Sequence, residues 1–147
     1  MFDLRDVPTA VVSLPDDTAR RAHITDHFTA MDLNWRFADG VTKFDRKQSI
    51  AKAHANAFDA IPSAPFFVCE DDITLMWDDC LLPTLPKDAD VIYLGSSQAG
   101  CLPNTPENIK NFGLDNFSNL ALAEAYDETF VRLYAMTSAH AILIVSE

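Results

Sequence analysis

At 147 residues with 48% hydrophobic content and ten phenylalanines, the chain is about one domain long and rich enough in apolar side chains to bury a core. Its formal charge of −11 argues against non-specific nucleic-acid binding, which needs a basic footprint, and against docking on anionic lipid. An acidic chain that acts on anionic substrates therefore needs local Arg or Lys, or a divalent cation, to offset its own field.

The opening "MFDLRDVPTAVVSLP" has neither a basic segment nor an apolar core and does not read as a signal peptide. No apolar run reaches bilayer length. Cys69, Cys80 and Cys101 are an odd number without metal-type spacing, which points to free thiols and a cytoplasmic protein. "TAVVSLP" (Thr9 to Pro15) reads as a strand stopped by proline, with Asp16, Asp17 and Thr18 offering a helix cap behind it. Ile24, Phe28 and Met31 then recur at helical spacing. "NWRFADG" reads as a second strand ending in an Asp-Gly turn, and "VTKFDRKQ" as a loop. A helix is expected over Ser49 to Ile61, with Ile50, His54, Ala57, Phe58 and Ile61 on one face and Pro62 ending it.

"APFFVCEDD" is the third strand, apolar enough to be covered on both faces. "ITLMWDDCLLPTLPKD" reads as a connection broken by prolines, and "ADVIYLGSS" as a fourth strand. From Gln98 to Thr129 the pattern weakens into an irregular excursion with a brief helical piece around "NLALAEAY". "FVRLYAM" and "SAHAILIVS" close the chain as strands. This order points to a single α/β domain over 1–147, with parallel strand pairs, right-handed crossovers and ligands at the carboxyl ends of the strands. Those ends carry "SLPDD", "CEDD" and "LGSS".

The "CEDD" end holds the strongest chemical signal. Burying an unpaired carboxylate costs several kcal/mol, so Glu70, Asp71 and Asp72 must reach solvent or meet a cation. If the strand continues through them, Glu70 and Asp72 share a face, a pattern suited to a hard cation, and Asp71 faces away. The plainer reading is a solvated turn in which Asp72 caps the next segment.

Four blocks in order resemble glycosyltransferase family 25, the lipopolysaccharide-biosynthesis transferases: "AVVSLPDDTARR", "SIAKAHANAF", "FFVCEDDI", and "DADVIYLG" with "TSAHAILIVS". Ala53 stands before His54 where the family has serine, and family members continue beyond the position of Glu147, so the chain reads as a short or truncated member. The resemblance implies a Rossmann-like GT-A sheet, mostly parallel with helices on both faces. It implies transfer of a hexose such as galactose from a UDP-sugar donor to a glycan acceptor, dependent on Mn2+ or Mg2+ and inverting; charge and hydropathy add the expectation of no nucleic acid and no membrane insertion.

On that reading Asp72 and Glu70 hold the metal, while Ser13, Leu14, Asp17, Arg20, His54, Glu70 and Asp71 border the nucleotide sugar. Arg20 or Arg21 would reach towards the diphosphate; both are otherwise explained as a solvated helix face pairing with Asp16 or Asp17, a reading at least as apt for Arg21. His54 is balanced between core and site, His140 could face the donor pocket but is expected to pack, and Cys69 belongs to the core. Trp35, Trp77 and Tyr134 could stack on a ligand but read first as buried aromatics. Inversion needs a carboxylate base; Asp115, Glu124, Asp127 and Glu128 lie in the excursion, and nothing selects one of them, so the catalytic residue is unassigned. Two alternatives stay open: a nucleotide-sugar-binding relic without activity, and a metal-dependent phosphohydrolase.

Overall fold

A computed structural model describes residues 1–61, 63–76, 79–95, 107, 123–133 and 140–146. The chain divides into two compact units, residues 1–94 with 140–147, and residues 95–139. In the first, β1 (Phe2–Asp3) leads through a 3-10 turn to β2 (Thr9–Ser13), α1 (Thr18–Ala30), β3 (Trp35–Asp39) and α2 (Arg46–Ala60). Then come β4 (Phe66–Glu70), β5 (Leu81–Leu82) and β6 (Val91–Gly95). After β7 (Ala123–Ala125) and β8 (Val131–Leu133) of the second unit, β9 (Ala141–Ile144) returns to the sheet. No helix among the described residues is long and apolar enough to cross a membrane.

The sheet runs in the order β3-β2-β4-β9-β6. Both neighbours of β2 are parallel to it, with Val11 level with Phe37 on one side and Cys69 on the other. β9, however, inserts antiparallel to β4, with Cys69 opposite Ala141 and Phe66 opposite Ile144. This corrects the expected fold. The sheet is mixed, and the described residues hold two α-helices, so the helix-rich, mostly parallel Rossmann-like GT-A arrangement does not apply. The physical reason is that an apolar run such as "AILIV" satisfies either strand direction; direction is set by the length and path of the connection, not by the run itself.

Among the described residues, one helix packs on each face. Ala57 and Ile61 of α2 join Ala10, Ala38 and Val68 in a core cluster, with Phe58 and Phe66 against it. On the other face Phe28 of α1 meets Trp35 edge-on at 6.1 Å, and the Arg21 guanidinium lies 4.4 Å over the Phe37 ring. Phe67, Val68 and Cys69 are all fully buried, as expected of a strand covered on both faces.

Local structure departs from the sequence reading in four places. Residues 46–48, read as loop, open α2, because the Asp45 carboxylate caps it by accepting from the Lys47 and Gln48 N–H groups at 3.0 and 3.1 Å. The buried stripe of α2 runs through Ala53 and Ala57, while Ile50 is 46% exposed. The proline-broken connection contains β5, which pairs with β1. Ala123–Ala125, placed in a helical piece, is a strand paired antiparallel with Val131–Leu133; Asp127 accepts from Thr129 and Phe130 in the intervening turn. Pro62, Trp77, Ser96, Ser97, Cys101, Asp115 and Tyr134 lie outside the described residues.

Candidate functional site

Because β2, β3 and β4 are mutually parallel, their carboxyl ends open at one edge of the sheet. There they border a cleft of about 600 Å3. Ser13 and Leu14 follow β2, and Asp17 and Arg20 begin α1. Gly40 follows β3, His54 projects from α2, Glu70 ends β4, and Asp71 and Asp72 follow it. All eight residues expected at the site, Ser13, Leu14, Asp17, Arg20, His54, Glu70, Asp71 and Asp72, thus line one cleft.

β4 ends at Glu70, and Asp71 and Asp72 form the turn after it, so strand alternation does not govern them. Asp71 was expected to face away. It turns inward instead, 7% exposed, and accepts a hydrogen bond from Arg20 Nη1 at 3.0 Å. The same nitrogen is 3.6 Å from Asp72 Oδ2, and Arg20 Nε is 3.4 Å from Asp17 Oδ2. Asp71 first, then Asp72 and Asp17, hold the Arg20 guanidinium above its ordinary pKa. The Asp17 side chain also caps α1 through the Arg20 N–H, which fixes where the arginine emerges.

Arg21 does not pair with Asp16 or Asp17. It donates to the Ser13 carbonyl at 3.1 Å and to Asp39 at 2.6 Å, tying the ends of β2 and β3 together. Gly40 closes the same corner: its N–H donates to the Ser13 carbonyl at 2.7 Å, and a Cβ there would stand 2.9 Å from Leu14 Cδ2. A side chain at this position would have to push the Leu14 tip aside.

Glu70 lies between two imidazoles. His54 Nε2 is 3.5 Å from Oε1, and His140 Nδ1 is 2.5 Å from Oε2. His140, expected to pack, is half-exposed and belongs to this group; the antiparallel register that sets Cys69 against Ala141 sets Glu70 against His140. The Glu70 N–H donates to the His140 carbonyl at 2.9 Å as the next rung. Among the described residues, one donor atom each of Glu70, Asp72 and His140 lie within 4.8 Å of one another. One ion could reach all three, although exposed acidic groups adopt such spacing without one. Two carboxylates and an imidazole suit Mn2+, and the carboxylates suit Mg2+.

The loop after the acidic turn is fastened to α1: the Leu75 N–H donates to His27 Nε2 at 3.0 Å, and His23 Nε2 sits 3.3 Å from the Ile73 carbonyl oxygen. Cys69 is buried in the core, and burial pushes its thiol pKa well up. Trp35 packs between Phe28 and Phe37 on the α1 face.

Sequence reasoning missed Gly40, Phe44 and Arg46 at the cleft, and favoured packing for His140. The Asp-Gly turn after β3 was a usable signal, since a strand parallel to β2 must bring its own carboxyl end to the same edge. His140 had no local signal at all. No protein-family model matches the sequence, and comparison with curated proteins finds no match either.

Proposed function

We propose that the protein transfers a hexose from a UDP-sugar to a hydroxyl of a glycan with the help of Mn2+ or Mg2+, as its resemblance to glycosyltransferase family 25 implies. The reading rests on the site rather than on the expected fold. The observation that carries it is the meeting of Glu70, Asp72 and His140 within 4.8 Å at the end of the central strand, beside a cleft that also holds Arg20. Asp72 and Glu70 would hold the cation, with His140 as the third donor.

When bound, the cation supplies Lewis-acid neutralisation of the charge that builds on the departing nucleoside diphosphate. The chain's own residues do the rest. Arg20 keeps the buried Asp71 carboxylate compensated and offers a positive charge on the same wall. The Ser13–Gly40 corner, held by Arg21, gives backbone that a nucleotide can approach closely. His54, on the inner wall, orients Glu70 from the side opposite His140.

The test is turnover. UDP-hexoses are offered with Mn2+ and a panel of glycan acceptors, and UDP release and acceptor mass are followed. Metal-dependent UDP release with a hexose mass increment on an acceptor is expected. UDP-sugar bound but never consumed would instead favour a binding relic. Release of phosphate from UDP would favour a phosphohydrolase.

A further inference from the structure

We infer that Arg20 competes with the divalent cation for Asp72, so that it opposes capture of the cation alone and favours capture of the cation together with a diphosphate; this rests on the reading of the site given above. Arg20 Nη1 contacts two carboxylates unequally. It donates to Asp71 at 3.0 Å, a full hydrogen bond, but stands 3.6 Å from Asp72, beyond hydrogen-bond range. The two acids differ in surroundings as well. Asp71 is buried and cannot lose its partner without leaving an uncompensated buried charge, whereas Asp72 is half-exposed.

A dication arriving at Asp72 therefore displaces the weaker of the two contacts and leaves Arg20 anchored on Asp71. Asp72 is at the same time the residue shared with Glu70 and His140, so it stands between two positive partners. With the cation alone, the guanidinium charge nearby is repulsive. Once a diphosphate accompanies the cation, the same charge becomes attractive, and Nη2, which is the nearest nitrogen in none of the three carboxylate contacts, is a further donor. The sign of the Arg20 contribution thus reverses between the two ligands, and by linkage each ligand strengthens the other.

Calorimetric titration of wild type, Arg20→Met and Arg20→Lys with Mn2+ alone, and then with the Mn2+–UDP complex, reads this reversal. Arg20→Met is expected to bind Mn2+ alone roughly three- to tenfold more tightly, the scale of one exposed unit charge, and Mn2+–UDP about tenfold more weakly. Arg20→Lys, which keeps the charge, is expected to stay near wild type for Mn2+ alone. A merely structural role would weaken both ligands. Because Arg20→Met strands the Asp71 carboxylate, the comparison is repeated between Asp71→Asn and the double variant Arg20→Met/Asp71→Asn, where no buried anion is left unpaired. Unchanged or weaker Mn2+ binding on losing Arg20 in both backgrounds overturns the inference while leaving metal-dependent UDP binding by wild type intact. If wild type takes up no Mn2+, the inference and the site reading fall together.

Discussion

Glu70 and His140, 70 positions apart in the chain, meet with Oε2 and Nδ1 2.5 Å apart at the end of the sheet. The antiparallel insertion of β9 brings this about. In a parallel strand, a residue preceding Ala141 would lie at the opposite edge, away from the acidic turn. The departure from the expected fold is thus what brings His140 to Glu70.

If that contact serves cation binding, Glu70→Gln should separate binding from stability. The side chain is partly exposed and its pairing is worth at most about 1 kcal/mol to folding. The variant is expected to melt close to wild type yet bind Mn2+ at least about tenfold more weakly, since a carboxylate ligand becomes a neutral amide. Thermal melts and Mn2+ titration of the same preparation check this.

Gly40→Ala probes the corner opposite. The new methyl would stand 2.9 Å from Leu14 Cδ2 and 3.3 Å from the Ser13 carbonyl oxygen. The leucine tip can swing aside, so the stability cost is expected near 1 kcal/mol. The displaced side chain has the cleft to move into, and UDP affinity should fall by more than stability alone explains. Urea unfolding and UDP titration in parallel measure the two effects.

Removing the fastening of the acidic loop should show unequal losses. His27→Ala deprives the N–H of buried Leu75 of its acceptor, an expected cost of about 1–2 kcal/mol. His23→Ala removes longer, exposed contacts to Ile73 and Thr74 and a ring stack on His27 at 5.8 Å, and is expected to cost less, under about 1 kcal/mol. Equilibrium urea unfolding of the pair ranks them.

Cys69 gives a pH dependence with a definite sign. Burial, with Asp71 and Glu70 adding to it, raises its folded pKa above that of an ordinary thiol, about 8.5. Above that pH the unfolded chain releases the proton and the folded chain keeps it, so the unfolded state binds fewer protons and stability falls with rising pH. The contribution is fully present below about pH 8.5 and declines above it, by at most ~1.4 kcal/mol per pH unit. Cys69→Ala should flatten that decline between about pH 8.5 and 10 relative to wild type, read as the difference between two urea-unfolding series.

What could be read ahead of the structure followed from local rules. Apolar runs bounded by proline and Asp-Gly located β2, β3 and β4, and their parallel order located the edge where the cleft opens. Hydrophobic counting favoured Ile50 on the inner face of α2, but close approach of helix to sheet selects small residues, and Ala53 and Ala57 are the ones buried. Asp71 was misplaced because alternation stops with the strand at Glu70. His140 was out of reach because only the register of β9 against β4, a tertiary fact, puts it beside Glu70.

The account stands or falls on whether the acidic turn grips a cation for a nucleotide. Electron paramagnetic resonance of Mn2+ titrated with the protein, with and without UDP, answers this most directly. Wild type should take up Mn2+ in a UDP-enhanced manner, and Asp72→Asn should lose at least about tenfold in that uptake. Equal Mn2+ and UDP uptake by the two proteins would contradict it.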